Sequence, residues 1–386
     1  MSQSILVASD LHLSNHIWGQ RPIFGDSYFA LEQIVRIAEA ERPQLLVLAG
    51  DILNVQTNPS TPILRLSNAL HRLQAAEIPV AYVQGQHDYQ EESWLSGYGN
   101  TTHAAGAVHR ISDTLVAGHD FADRETLLNY FASPFFFPAN GQRIDLLILH
   151  QVWKDFMGDI VAHQVSSEDI PHSVKLVITG DYHVSALKSR TLPDGYVQQI
   201  LSPGSTHLRS INEPVDKFMY RLNPQGDTYQ VEPIPLASRR VVRVKLANFD
   251  TLDGIFQEID SGLAAAESYA ETHGLPLELK TPLLVVEHTD DTLQASRSVK
   301  AAYGGKAHIF YVDRSSRVVA KTGFCDEDRA AGVRQGLRES LPAVLPPDTE
   351  AAAFGLASQL LSSEDKKMTL ENWFVQQLNA EVTDAN

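Results

Sequence analysis

The first half of the chain alternates continuous apolar runs with more polar segments. The apolar runs have the length of strands and lie at residues 5–8, 45–49, 80–83, 146–149 and 176–178. Runs without polar alternation are typical of strands that are buried on both faces. The pattern therefore predicts a sheet that is covered on both sides.

Two of the segments between these runs have the spacing of amphipathic helices. Apolar residues recur there every three or four positions, which places them on one helix face. The first stripe is Leu31, Ile34, Val35 and Ala38, and the second is Ile63, Leu66, Leu70 and Leu73. Strand, helix, strand and helix in this order predict a layered α/β domain.

The rhythm changes near residue 222. Residues 223–238 contain Pro224, Pro233 and Pro235 together with Gly226, which predicts a short terminal strand followed by a linker. Beyond this segment, an alternating stretch at 241–246 and apolar runs at 283–286 and 309–312 predict strands, and a stripe at 252–259 predicts a helix. A second, smaller α/β domain is expected here.

A further cluster of prolines, Pro342, Pro346 and Pro347, precedes two helical stretches at 349–361 and 369–378. The second stretch places Trp373 and Phe374 on an apolar face that suits a partner's coiled coil. We therefore expect three parts, at residues 1–235, 239–342 and 347–386.

Composition and charge restrict the class of protein. The 386 residues are 43% hydrophobic and carry a net charge of −16, so a core can be buried, but bulk electrostatics do not favour nucleic-acid binding. A polyanionic substrate would need metal ions, local basic patches or a partner subunit. One cysteine, no basic leader and no apolar run of the ~20 residues that span a bilayer predict a soluble, cytoplasmic protein without a membrane partner.

Each strand of the first domain ends in a short polar signature. The carboxyl ends of parallel strands meet at one edge of a sheet, where ligands bind. Five strands would therefore deliver carboxylates and imidazoles to one crevice. The signatures are Asp10-Leu11-His12, Gly50-Asp51, Gly85-Gln86-His87-Asp88, His150-Gln151 and Gly180-Asp181-Tyr182-His183.

This mixture of side chains suits a pair of divalent metal ions. Two ions about 3.5–4 Å apart can clamp a phosphoryl group, and a carboxylate such as Asp51 can bridge them. Imidazole and carboxylate together favour Mn²⁺, Mg²⁺, Fe or Zn²⁺ over Ca²⁺. The sequence thus predicts a two-metal phosphoesterase.

The five signatures resemble those of the calcineurin-like metallophosphoesterases. The stretch Ser202-Pro203-Gly204-Ser205-Thr206 and the order of the three parts are similar to the SbcD-type DNA repair nucleases. The resemblance implies a layered β-sandwich with flanking helices, a small α/β capping domain that binds DNA, and C-terminal helices that bind a partner.

The resemblance also implies a role for each matching residue. Asp10, His12, Asp51 and His183 would hold a first metal ion. Asp51, Gln86, His150 and Asp181 would hold a second, with Mn²⁺ preferred. His87 would act at the leaving oxygen, oriented by Asp88. Ser205, Thr206 and His207, in and after the Pro-Gly-Ser loop, are expected to face the substrate.

The resemblance further implies a metal-dependent exonuclease or endonuclease that forms a homodimer and works with an SbcC-like coiled-coil ATPase on DNA. Three positions depart from the family pattern, which usually has Asn at Gln86, His at Asp181 and His at Asn54. Two alternatives therefore stay open. One is a phosphodiesterase for a small nucleotide or pyrophosphate, and the other is a weakly active DNA-end clamp.

Overall fold

The structure is a computed structural model that describes residues 3–15, 23–55, 60–158 and 164–314. The C-terminal helices expected after residue 347 lie outside the described residues. The helices are α1 (Asp26–Glu41), α2 (Ser60–Ala75), α3 (Arg124–Phe131), α4 (Lys154–Met157), α5 (Leu252–Thr272), α6 (Leu277–Lys280) and α7 (Leu293–Tyr303). The strands are β1 (Ile5–Ala8), β2 (Leu45–Ala49), β3 (Val80–Val83), β4 (Thr101–His103), β5 (Val108–Ile111), β6 (Thr114–His119), β7 (Ile144–His150), β8 (Val174–Gly180), β9 (Ala186–Thr191), β10 (Val197–Ser202), β11 (Lys217–Gln225), β12 (Thr228–Leu236), β13 (Val241–Lys245), β14 (Leu283–His288) and β15 (His308–Asp313).

Two six-stranded sheets pack face to face and form the large part of the molecule. Their strand orders are β12-β11-β1-β2-β3-β4 and β5-β6-β7-β8-β10-β9. Every second residue of the central strands points into the space between the sheets, where Val7, Val47, Leu146 and Ile178 share one core. This arrangement confirms the predicted layered α/β sandwich.

Helices cover the outer faces of both sheets. α1 buries its predicted stripe, and α2 buries Leu66, Leu70 and Leu73 while Ile63 is half-buried. These residues pack against the outward-facing side chains of β1 and β2, such as Leu6 and Leu46. The central strands are therefore buried on both faces, as their unbroken apolar runs indicate.

Residues 223–238 were predicted to hold a short terminal strand followed by a linker; a strand is present, but the linker is wrong as far as residue 236. Most of this segment belongs to the antiparallel hairpin of β11 and β12, which turns at Gly226, where φ is 61°. Because β12 is the outermost strand, alternate N–H groups point away from β11, and Pro233 and Pro235 replace such groups without loss of a ladder hydrogen bond. Prolines here therefore mark a sheet edge.

A third sheet, of parallel strands in the order β13-β14-β15, forms a small unit with α5 and α7. The chain enters this unit through Arg239, which is 1% exposed. The guanidinium of Arg239 binds both carboxylate oxygens of Asp26 at 3.0 and 2.9 Å, and donates to the carbonyls of Phe24 and Thr281. Arg239 therefore joins the small sheet to the start of α1 and is not available to a ligand.

No helix among the described residues combines the length and the apolar character needed to cross a bilayer.

We predict that Arg239→Ala lowers the free energy of unfolding by about 3–5 kcal/mol, because it leaves the Asp26 carboxylate buried without its partner. Urea denaturation measures this change. Arg240→Ala is the matched control, since Arg240 pairs with Asp216, which is 75% exposed, and its loss should cost about 1 kcal/mol or less. Equal losses in the two variants would contradict the assignment.

Candidate metal centre

Eight of the side chains singled out in the sequence meet at the carboxyl ends of β1, β2, β3, β7 and β8. Loops directly after the strands carry all but one of them, and the remaining one is the last residue of β7. They are Asp10, His12, Asp51, Gln86, His87, His150, Asp181 and His183. The parallel direction of these strands accounts for the convergence.

Asp51 lies at the centre of the group. Its Oδ1 accepts the backbone N–H of His87 at 2.9 Å. Its Oδ2 is buried without a hydrogen-bond partner among the described residues, and faces Nε2 of His150 at 3.4 Å, of His12 at 3.5 Å and of His87 at 4.0 Å. A carboxylate oxygen this close to the Nε2 atoms of His150 and His12 is well placed to share a cation with them.

Asp10 is the second buried carboxylate of the group, and it contacts the side of the centre that carries His183. Its Oδ1 lies 3.7 Å from His183 Nε2 and accepts the backbone N–H of Asp181 at 3.1 Å. The Nε2 atoms of His12 and His183 are only 3.3 Å apart. Two neutral ring nitrogens that both present lone pairs repel at this distance, so a proton or a cation between them is required.

Hydrogen bonds behind two imidazoles determine which nitrogen faces the centre. His150 Nδ1 lies 2.8 Å from the carbonyl of Ala49, and His183 Nδ1 lies 3.0 Å from Glu213 Oε1. A carbonyl only accepts, so Nδ1 of His150 carries the proton and Nε2 presents its lone pair when the ring is neutral. Sequence reasoning missed Glu213, which follows no strand and belongs to no motif.

Gln86 and Asp181, two of the departures from the family pattern, contact each other. The side-chain amide of Gln86 donates to Asp181 Oδ1 at 2.6 Å. Gln86 Oε1 is buried without a partner among the described residues, and Asp181 Oδ1 lies 4.0 Å from His150 Nε2. The pair therefore lies beside His150, with the Gln86 amide bonded to the Asp181 carboxylate.

His87 is the most accessible of these imidazoles, at 43% exposure. Its Nδ1 lies 3.0 Å from the carbonyl of Asn54, so this carbonyl orients the ring.

Asp88, which was expected to orient His87, instead accepts the backbone N–H groups of Ile52, Leu53 and Gly85. Asp88 is buried and holds the loops after β2 and β3 together, because only a carboxylate can accept from so many donors at once.

Ser205, Thr206 and His207, which were expected to face the substrate, are buried side chains. Their exposures are 1%, 1% and 2%. The loop folds inward behind His183, where Ser205 Oγ donates to Glu213 Oε2 at 3.0 Å. Polar residues after a strand end are therefore not automatically at the surface of the site.

The backbone at the centre adopts a conformation that most side chains avoid. Asp10, His12, Asp51 and Asp181 have φ values of 52°, 41°, 47° and 80°, all in the left-handed region. Asp and His tolerate this region better than most residues, and such strain collects at functional sites. Gly85 allows the close approach, since a methyl group there would overlap Asp51 Oδ1 and lie 2.7 Å from the Asp51 nitrogen.

Burial and opposite charges act against each other in this cluster. Burial raises the pKa of Asp10 and lowers that of His12 well below its ordinary value. Burial also acts to lower the pKa of His150, but the carboxylates of Asp51 and Asp10 outweigh it and raise this pKa to about 10. The cluster thus favours a positive charge between its carboxylates.

The donor set fits divalent metal ions. Three groups of potential ligands have donor atoms within 4.8 Å of one another, and His150 Nε2, Asp51 Oδ2 and Gln86 Oε1 are buried without other partners among the described residues. Buried polar atoms without hydrogen bonds are rare in folded proteins unless an ion or water satisfies them. Imidazole, carboxylate and amide oxygen are ligands for first-row divalent ions.

Comparisons with known proteins agree with this chemistry. Residues 3–185 match the calcineurin-like phosphoesterase family. Over 345 residues the chain is 26% identical to the DNA double-strand break repair protein Mre11 of Methanosarcina acetivorans, covering 84% of this chain and 53% of that protein. The Mre11 of Methanosarcina mazei is 26% identical over 188 residues, or 46% of this chain and 30% of that protein. The chain spans about half or less of the length of these curated relatives.

Two solved structures are also similar. A dimetal phosphatase from Danio rerio aligns with a TM-score of 0.39 and 13% identity, covering 61% of this chain and 96% of that one. A purple acid phosphatase from yellow lupin (Lupinus luteus) seeds aligns with a TM-score of 0.37 and 12% identity, covering 61% and 52%.

We predict that Gly85→Ala weakens Mn²⁺ binding by about 10–100-fold, because the added methyl group displaces the Asp51 carboxylate. Isothermal titration of the metal-free protein measures the affinity. Gly97→Ala, where a methyl group would meet nothing within 4 Å, is the control and should bind Mn²⁺ like the wild type. Unchanged affinity in Gly85→Ala would show that Asp51 is not a ligand.

Proposed function

Because residues 3–185 form a calcineurin-like phosphoesterase domain, we propose that this chain is a metal-dependent DNA nuclease, the SbcD-like subunit of a DNA repair complex. The observation that carries the proposal is the buried Asp51 carboxylate, which faces the Nε2 atoms of His12 and His150 beside an exposed His87. The similarity to a DNA double-strand break repair protein over 84% of the chain favours DNA as the substrate.

Two sets of ligands share Asp51 in this proposal. Asp10, His12 and His183, whose donor atoms cluster together, complete the set for a first ion. For a second ion the set is completed by Gln86, His150 and Asp181. Three of the four side chains in the second set, Asp51, Gln86 and Asp181, offer oxygen, which favours Mn²⁺ or Mg²⁺ over Zn²⁺, and Mn²⁺ also accepts imidazole readily.

Each remaining group of the centre has a defined task. When bound, the divalent ions polarise the phosphoryl group and lower the pKa of a coordinated water. His87 presents Nε2 to the crevice while its Nδ1 is held by the Asn54 carbonyl. In its charged form His87 donates the Nε2 proton to the leaving oxygen, as a general acid. Asp88 supports this step only by fixing the loop that carries His87.

Arg209 adds positive charge beside the centre. After burial, its charge is the largest cause of the lowered pKa of His12. A guanidinium near two metal ions suits a non-bridging phosphate oxygen of the substrate. Arg209 therefore supports binding of a phosphodiester in an otherwise acidic chain.

DNA affinity and partner binding are assigned to the rest of the chain. Four cationic side chains lie at the start of the second part: Arg239 is buried, Arg240 pairs with Asp216, Arg243 donates to the carbonyl of Ile211, and Lys245 is exposed. Since the chain carries a net charge of −16, most of the DNA-binding surface would come from a coiled-coil ATPase of the SbcC type and from a second copy in a homodimer. Residues 239–342 would cap the DNA, and residues 347–386 would bind the ATPase.

We predict that wild-type protein with Mn²⁺ hydrolyses linear and single-stranded DNA, and that His87→Ala lowers this rate by about 10²–10⁴-fold through loss of the general acid. Mn²⁺ affinity of His87→Ala should change little, since neither ligand set includes His87. His273→Ala is the control, because this partly surface-exposed imidazole at the end of α5 is remote from the ligand sets.

The same assay includes a small nucleotide diester to separate the alternatives. Hydrolysis of the diester without DNA cleavage would favour a small-molecule phosphodiesterase. Absence of both activities, with one ion bound or none, would favour a DNA-end clamp whose second ligand set is weakened by the Gln86–Asp181 contact. Retention of DNA cleavage in His87→Ala would remove His87 from the mechanism.

A further inference from the structure

Glu213 occupies a position behind the metal centre that no strand-end motif accounts for. It lies in the loop before β11, is 9% exposed, and its Oε1 is 3.0 Å from His183 Nδ1. His183 in turn presents Nε2 to the centre, 3.7 Å from Asp10 Oδ1. The Glu213 carboxylate thus lies behind the His183 imidazole, which separates it from the metal centre.

The two carboxylate oxygens of Glu213 have separate partners. Oε2 accepts from Lys217 Nζ at 2.7 Å, from Ser205 Oγ at 3.0 Å and from the backbone N–H of Arg209 at 3.0 Å. Oε1 accepts only from His183 among the described residues. The first three contacts hold the carboxylate in place, and the second oxygen is left for the imidazole.

Lys217 balances the charge of Glu213. Its side chain is 3% exposed and touches both Glu213 and Ser205. A buried carboxylate stays ionised only when such a partner compensates its desolvation. An ionised Glu213 fixes the Nδ1–H tautomer of His183, which leaves the Nε2 lone pair free for a ligand bond.

This geometry also gives the Pro-Gly-Ser loop a task. Ser205 lies inside and binds Glu213 directly, so the loop supports the carboxylate and does not meet the substrate. A salt bridge with a purely structural role would not need one oxygen aligned on a ring nitrogen that itself faces the centre.

We propose that Glu213 is a positioning residue that sets the affinity of the metal ion held by His183, with Lys217 and Ser205 fixing its carboxylate. The inference rests on the proposed role of His183 as a ligand. Carboxylates that receive the second N–H of a ligand imidazole raise its basicity, and their loss typically costs about 10–100-fold in metal affinity.

The test is Mn²⁺ binding to the metal-free protein, by isothermal titration and by the electron paramagnetic resonance signal of free Mn²⁺. We expect Glu213→Gln, which keeps an acceptor but loses the charge, to weaken one of two ions by about 10-fold. Glu213→Ala should weaken the same ion further, by about 100-fold. His183→Ala provides the benchmark for loss of that ion.

Two further variants separate positioning from stability. Glu213→Gln combined with Lys217→Met removes both buried charges at once, so the fold should survive while the weak binding remains. Asp26→Asn is the matched control, since it neutralises a buried carboxylate that pairs with a cation and, within the part of the chain that the structure describes, contacts no imidazole. It should lower the thermal stability and leave Mn²⁺ affinity at the wild-type level.

The outcomes distinguish this inference from the ligand assignment. Wild-type Mn²⁺ affinity in a folded double variant, with loss of an ion in His183→Ala, would overturn the role of Glu213 and keep His183 as a ligand. Wild-type Mn²⁺ affinity in His183→Ala would overturn both the role of Glu213 and the assignment of His183 as a ligand. Selective loss of one ion in the Glu213 variants and not in Asp26→Asn would establish the positioning role.

Discussion

The close approach of two carboxylates to a set of imidazoles, inside a protein interior, is the constraint on which the rest of this structure depends. Asp10 and Asp51 are almost fully buried and lie within about 4 Å of several ring nitrogens. Such a group is unstable unless a positive charge is shared among its members. The parallel strands bring the side chains together, and the left-handed backbone of the loop residues orients them. Gly85 allows the loop after β3 to contact Asp51 in the loop after β2.

Much of the fold and of the site could be predicted because both follow from local patterns. Unbroken apolar runs indicate central strands, and the carboxyl ends of parallel strands must meet at one edge. Asp10, Asp51, His150 and His183 lie at such ends, so their meeting followed from strand order alone. The prolines of β12 misled because their effect depends on whether a strand lies at an edge, which is a property of the assembled sheet.

Residues that act through tertiary contacts could not be found in this way. Glu213 reaches His183 only because the loop before β11 folds back against the loop after β8, and no spacing along the chain encodes that meeting. Asp88 was identified, but its partner is not the neighbouring His87, since its Oδ2 accepts from the loop after β2 and its Oδ1 accepts from Gly85. Ser205 belongs to a Pro-Gly-Ser segment of the kind found in surface loops, but its own side chain is buried.

The Arg239–Asp26 pair has a mechanical consequence. A rotation of the small sheet relative to α1 would have to break this pair or displace the first turn of α1. The next residue of that turn, Ser27, is bonded to the backbone of Ser14, two positions beyond His12. A force applied to the small sheet, for instance by a bound partner, would therefore be transmitted through α1 to the loop that carries His12 of the metal centre.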